Sequence, residues 1–167
     1  MLYEKILTEL EKNNVRYLII GGLAVFLYGY DRVTKDLDLM LSFDNENMVK
    51  FISIAKSLGL RSKVPVEIEE LADEKKRELW IKEKNMKVFS FYNPNDDMEY
   101  IDIMIQDYID FEKAYKNKKL IEFKKLGIKV KAISINDLIK LKEIAGRNVD
   151  RIDIMALKKI YELNYGE

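Results

Sequence analysis

Two aspartates, Asp36 and Asp38, open an otherwise apolar run, DLDLML, that ends at Leu41. The alternation of acid and apolar residue predicts a strand. On a strand, residues two apart share a face, roughly 6.5 to 7 Å from one another. Carboxylates placed so repel each other unless a positive charge stands between them. A divalent cation meets that need: magnesium holds oxygens at about 2.0 to 2.1 Å and keeps positions open for water and phosphate. A pair of such ions about 3.5 to 4 Å apart activates an attacking oxygen and stabilises a leaving one. For this pair alone, the alternative is an edge strand with a solvated polar face. Asp102 adds to it as the one charged residue within Tyr100–Ile105. An acid at mid-strand in such surroundings is costly to bury unless it is paired or metal-bound. If the two strands are neighbours, Asp36, Asp38 and Asp102 converge, and Asp102 can also accept the proton of an attacking hydroxyl. If the second strand is an edge, Asp102 faces solvent.

Upstream, the apolar run Tyr17-Leu18-Ile19-Ile20 ends in Gly21-Gly22, and a helix-like segment follows from Leu23 to Tyr28. Glycine lets backbone approach a phosphate closely, and the N–H groups of a following helix point at the anion. The 15 residues from Gly21 to Asp36 suffice for one short helix and a turn, so glycines and acids can face one pocket. Arg32 and Thr34 just before the acids suit a triphosphate; equally, Arg32 can pair with Asp31 or Asp36. Near the end, LIKLKEIAGRNVDRIDIMAL carries Lys142, Arg147, Asp150 and Asp153. Asp150 and Asp153 fall on neighbouring helical turns, and charge on a terminal helix reads first as a solvated face. Trp80 and Tyr92 are candidates to stack on a base or, as aromatic residues more often do, to pack in the core.

Composition narrows the chemistry. The 167 residues contain no cysteine and no histidine. That excludes disulfides, Cys or His zinc sites, thiol nucleophiles and imidazole bases. A metal must be held by oxygen, which favours magnesium, manganese or calcium. The chain is 48% hydrophobic and 35% charged, with 29 basic and 29 acidic residues. Zero net charge argues weakly against a protein whose main task is to bind a nucleic-acid backbone. Met1–Lys5 leads into a charged amphipathic pattern rather than a leader, and no apolar run nears the roughly 18 residues of a membrane span. A cytoplasmic protein without a membrane partner is expected.

The elements that must position these residues follow from periodicity and caps. Leu2, Ile6, Leu7 and Leu10 predict a first helix closed by Asn13-Asn14. Val15–Ile20 reads as a central strand. A helix opened by Asn45 or Asn47 presents Met48, Phe51, Ile52, Ala55 and Leu58. Asp73 caps a helix over Glu74–Trp80, and Met86–Phe91 reads as a strand. Asn93-Pro94-Asn95-Asp96-Asp97 is a turn. Tyr108–Tyr115 is a short helix, and Leu120–Phe123 with Ile128–Ile133 a hairpin. Ser134 caps a helix through Leu138, Leu141 and Ile144 that ends at Gly146. The last helix, Val149–Leu163, has Ile152, Met155 or Ala156, and Ile160 on one face. The order predicts an α/β (α+β) fold, a mixed sheet flanked by helices. It forms one domain over 1–167, with a core at 1–105 and a C-terminal hairpin and helical part at 106–167.

Taken together, GG, a short helix, RxTxDLDL and a distant acid in a strand resemble the nucleotidyltransferase superfamily typified by DNA polymerase beta. The late block LxxLKxxAGRxxDxxDI, Leu138 to Ile154 here, is similar to small prokaryotic AbiE-type toxin-related members. The resemblance implies a mixed-sheet nucleotidyltransferase fold and transfer of a nucleoside monophosphate from an NTP to a hydroxyl, releasing pyrophosphate. It implies Asp36, Asp38 and Asp102 as catalytic metal ligands for Mg2+ or Mn2+. Gly21 and Gly22 would contact phosphates, Lys142 would bind nucleotide phosphate, and Asp150 matches a further position of the toxin group. Many superfamily members have Gly-Ser where this chain has Gly21-Gly22. The acceptor stays open among tRNA, a protein and a small hydroxylated compound. The alternative function is a non-catalytic or partner-regulated module of a toxin–antitoxin type system, with a second protein as partner.

Overall fold

A computed structural model of the chain describes residues 2–166, with the side chains of residues 96–98 outside the description. Its centre is a seven-stranded mixed sheet in the order β3-β4-β5-β2-β1-β7-β6. The strands are β1 (Tyr17–Ile20), β2 (Leu37–Leu41), β3 (Arg61–Ser62), β4 (Val88–Asn93), β5 (Asp96–Met104), β6 (Lys119–Phe123) and β7 (Ile128–Ala132). The helices are α1 (Leu2–Lys12), α2 (Gly21–Leu27), α3 (Asn45–Ser57), α4 (Glu74–Lys84), α5 (Phe111–Lys116), α6 (Ile135–Ala145) and α7 (Asn148–Tyr165).

β1 and β2 are the middle of the sheet, and their residues explain why. Every residue of β1 is buried, as a strand covered on both faces requires. β2 pairs antiparallel with β1 and parallel with β5. Its alternation sends Leu37, Leu39 and Leu41 to one face and Asp38 and Met40 to the other. The connection from β1 through α2 is short because Gly21, at φ 65, turns the chain directly from strand to helix.

Asn47 joins the ends of these two strands. Its side chain accepts from Arg16 N at 2.7 Å and donates to Arg16 O at 3.0 Å and Ser42 O at 2.8 Å. The helix that carries it is capped not by Asn45 or Asn47 but by Asp44, whose carboxylate accepts from Asn47 N at 2.9 Å. Further along the sheet, Phe51, Phe89, Phe91 and Trp80 pack as a chain of rings with centroids 5.1 to 5.7 Å apart. Trp80 is therefore a core residue and not a stacking platform.

Most expected elements are present with shifted ends. The first strand begins at Tyr17 and not Val15, and α4 runs on to Lys84, where Asn85 adopts φ 49. β4 and β5 pair as far as Asn93 and Asp96, so the turn between them is shorter than the sequence signals. β3 was not expected; it is a two-residue strand paired to the end of β4.

One expectation is overturned. On the apolar face of the last helix Ile160 packs against the core, but Ile152 and Met155 are 55% and 73% exposed, and the acids read as solvated lie inside instead. The buried positions of the helix are Asp150, Asp153 and Leu157. The aspartates are not a solvated face, because cations from other elements meet them inside the protein.

Candidate active site

Asp38 and Asp102 are register partners on adjacent strands β2 and β5, with Ile20 on the other side of Asp38 and Ser90 of β4 opposite Asp102. The sheet thus brings the second and third acids side by side. Burial, then the neighbouring charges of Asp102 and Asp36, push the Asp38 carboxyl up to about 6 from the ordinary 3.8, against the pull of Arg147 and Lys142. Asp102 is also pushed up, by burial first and by Asp36, and a hydrogen bond with Ser90 opposes this. Its Oδ1 is buried without a hydrogen-bond partner among the described residues. A buried, unpaired carboxylate oxygen beside a second carboxylate is an unstable arrangement unless something positive joins them.

Gly21 shapes the other side of Asp38. A Cβ at this position would lie 2.0 Å from Asp38 Oδ2 and 2.6 Å from its Cγ. Only glycine leaves room for the carboxylate here, and the left-handed φ favours the same residue. No side chain caps α2, whose N-cap is Ile20.

Across from the acids stands a buried charge network built by α6 and α7. Lys142 is 3% exposed, and its Nζ lies 2.7 Å from Asp153 Oδ2 and 3.3 Å from Asp150 Oδ1. Arg147 grips Asp150 through Nε at 2.8 Å and Nη2 at 3.1 Å, and its backbone N also donates to that carboxylate at 3.1 Å. Burial pushes Asp150 up, but the Arg147 hydrogen bonds and the Lys142 charge outweigh it and hold the carboxyl below its ordinary value. Arg32 reaches in from the loop between α2 and β2 and donates through Nε to Asp153 Oδ1 at 3.1 Å. It pairs with neither Asp31 nor Asp36. Five charged groups, three cations and two anions, therefore tie this loop to the last two helices.

A cleft of about 400 Å³ separates the two halves. Gly21, Asp38 and Asp102 form one wall, and Lys142, Arg147 and Asp150 face them. Lys87, Val88, Met104 and Tyr108 extend the wall into a more apolar region. Asp36 precedes β2 and is not on the wall, though it is near enough to act on both other acids. Gly22 is buried behind Gly21, where a Cβ would meet Thr34 Oγ1 at 2.9 Å. Thr34 and Arg32 line a different depression, with Phe26 and Phe123. Among the expected residues, the structure thus gathers Gly21, Asp38, Asp102, Lys142 and Asp150, and leaves Gly22, Arg32, Thr34 and Asp36 one layer away. Arg147, singled out in the late block of the sequence, joins the wall, whereas Lys87 and Ser90 belong to the site but carry no signal of their own in the sequence. Ser90 is recognisable only once strand pairing sets it opposite Asp102.

The donor set fits a hard divalent cation. All candidate ligands are carboxylate oxygens, one is an orphan, and no thiol or imidazole competes. No three acidic side chains among the described residues are already drawn together as a ligand shell. A cation held by Asp38 and Asp102 would complete its shell with water and phosphate oxygens, as magnesium commonly does. Among the described residues no helix is long and apolar enough to cross a membrane.

No protein-family model and no curated protein matches the sequence. Solved structures do match. Lincosamide antibiotic adenylyltransferase LnuA, bound to lincomycin, superposes with a TM-score of 0.60 at 20% identity, over 95% of this chain and 96% of that one. ANT(2'')-Ia in complex with adenylyl-2''-tobramycin gives 0.58 at 18% identity, over 97% and 92%. A putative nucleotidyltransferase from Thermotoga maritima gives 0.57 at 17% identity, over 92% and 88%. The mixed sheet with its flanking helices is the fold of nucleotidyltransferases.

Proposed function

We propose that this chain is a metal-dependent nucleotidyltransferase that moves a nucleoside monophosphate from an NTP to an acceptor hydroxyl. The observation that carries the reading is the Asp38–Asp102 pair, with its orphaned Oδ1, facing Lys142 and Arg147 across one cleft. Asp38 and Asp102, supported by Asp36, would hold Mg2+, which supplies charge neutralisation for the triphosphate and acidifies the acceptor hydroxyl. The chain's own groups do the rest. Lys142 and Arg147 face the phosphates with positive charge in a partly closed cleft, where it acts strongly. Gly21 keeps backbone close to Asp38. The acceptor oxygen forms a bond to the α-phosphorus, the bond from that phosphorus to the bridging oxygen breaks, and pyrophosphate leaves. The acceptor proton passes to the Asp102 carboxylate.

Three observations favour a small hydroxylated acceptor over a long RNA or a protein. Net charge is zero. The cleft wall beyond the acids is apolar, with Val88, Met104 and Leu141. Two of the similar structures, matched over 96% and 92% of their length, are an antibiotic adenylyltransferase bound to lincomycin and ANT(2'')-Ia in complex with adenylyl-2''-tobramycin. A second reading, a partner-regulated module of a toxin–antitoxin type, has one observation in its favour: Ile152, Met155 and Leu163 of α7 are exposed apolar residues that a partner would cover. Calorimetry with each NTP, with and without magnesium, on wild type and Asp38→Asn separates the two. Magnesium-dependent binding that the substitution abolishes supports the enzyme. No binding to folded protein refutes it.

A further inference from the structure

Asp153 lies at the centre of the charge network and outside the cleft. It is fully buried, and its carboxylate meets two cations from different parts of the chain, with Arg32 Nε shared between both oxygens. Oδ2 accepts from Lys142 Nζ at 2.7 Å, the shorter of that ammonium's two carboxylate contacts. Oδ1 accepts from Arg32 Nε at 3.1 Å, on the loop that leads to Asp36 and Asp38. Lys142 reaches the cleft from α6, Asp153 sits one turn further along α7 than Asp150, and Arg32 closes the chain of contacts from the metal side.

We propose that Asp153 is a positioning residue for the triphosphate: it fixes the Lys142 ammonium at the cleft wall and, through Arg32, locks the last helix to the loop that carries the acids. The inference rests on the nucleotide reading of the cleft. An ammonium is a point charge on a flexible stem with rotatable donors, so a single contact does not fix where it points. A second contact, to a carboxylate at a fixed position, does. Asp150 also has Arg147 to satisfy, through two guanidinium bonds and a backbone N–H. Arg147 is 67% exposed and free to turn toward a phosphate, so Asp150 exchanges partners when anion arrives. Asp153 has more enclosed partners, Lys142 at 4% and Arg32 at 24% side-chain exposure. It is the fixed post, and Asp150 the adjustable one. Three cations against two carboxylates leave the network as a whole one positive charge over.

The test uses magnesium tripolyphosphate, which probes the phosphate end without reference to the base. Calorimetric titration reports the number of sites and the Kd separately. The inference expects wild type to bind, Asp153→Asn to keep the full number of sites, and its Kd to rise about tenfold or more, as when one member of a buried charge pair is lost. Asp153→Glu keeps the charge and moves it by one methylene; its Kd should rise about threefold or more. A purely structural role predicts the opposite: fewer sites with an unchanged Kd in Asp153→Asn, and full recovery in Asp153→Glu. Either result overturns the inference. If Asp153→Asn does not fold, Asp153→Glu decides by the same two numbers. A wild type that binds neither tripolyphosphate nor any NTP overturns the nucleotide reading and this inference together. Binding that Asp38→Asn weakens but both Asp153 variants leave intact overturns this inference alone.

Discussion

Asp38→Asn should make the metal-free protein more stable while removing its magnesium-dependent nucleotide binding. The carboxyl is raised from 3.8 to about 6 by burial and by the charges of Asp102 and Asp36. A shift of about two units, at about 1.4 kcal/mol each, corresponds to about 3 kcal/mol between the protonated and ionised forms. The folded state keeps the proton up to pH about 6, whereas the unfolded chain releases it near 3.8. Between those values the native protein binds more protons, so wild-type stability falls as pH rises through the window and stays low above it. Asparagine has a similar shape and never ionises. The gap between variant and wild type should therefore be small near pH 4, widen through pH 6 and level off at about 3 kcal/mol. In a chain of this size that is roughly 6 to 12 °C in Tm. The assay is a set of thermal melts in EDTA from about pH 4 to pH 8. Adding magnesium should then raise the wild-type Tm and leave the variant unmoved, because a ligand stabilises only the form that binds it. A variant no more stable than wild type at pH 8 in EDTA, or a gap that ignores pH, would refute the claim that Asp38 is held in a strained, ionisation-averse position.

Further substitutions test other parts of the site and its frame. Asp102→Asn should lower kcat by about a hundredfold or more, the usual worth of a general base, with Tm at pH 8 unchanged or higher; full turnover would remove Asp102 from the mechanism. Gly21→Ala places a methyl 2.0 Å from Asp38 Oδ2 at a φ of 65, so stability should fall by about 1 to 3 kcal/mol and magnesium binding should be lost in the same protein, by denaturant melts and calorimetry. Asn47→Ala removes the side-chain partner of Arg16 N and Ser42 O, while Arg16 O keeps the bond from Ser42 N at 3.2 Å. It should cost about 2 to 4 kcal/mol with nucleotide affinity of the folded fraction unchanged.

The acids were legible in the sequence because their signal is local. Period-two alternation over Asp36–Leu41 marks a strand and gives Asp38 a face, and Asp102 stands out against apolar neighbours. That β5 lies directly beside β2, so that Asp38 and Asp102 are register partners, was a condition the sequence could state but not decide. Strand order depends on contacts 64 residues apart, from Asp38 to Asp102, and periodicity within either strand is the same whether they meet or not. Ser90 and Lys87 were illegible for the same reason: their meaning comes from what pairs with them.

The last helix was misread for a different reason, and the error is informative. Ile152, Met155 and Ala156 make an apolar stripe that, alone, reads as the buried face of an amphipathic helix. Asp150, Asp153 and Leu157 make a second stripe at i, i+3 and i+7 spacing, and this is the one turned inward. Two acids outcompete the apolar stripe for the interior because Lys142 and Arg32 arrive from elsewhere, and Arg147 from the helix's own N-cap, to satisfy them. An ion network this buried is seldom better for stability than apolar packing of the same volume. Its presence, against the helix's own amphipathic pattern, marks a place where local preference and global structure disagree, and such disagreements concentrate at functional sites. The buried acids of α7 thus support the same conclusion as the orphaned oxygen of Asp102, from the opposite wall. Each wall is electrostatically incomplete by itself, the acids wanting a cation and the network carrying a spare positive charge. A metal-bound triphosphate is a ligand that satisfies both at once.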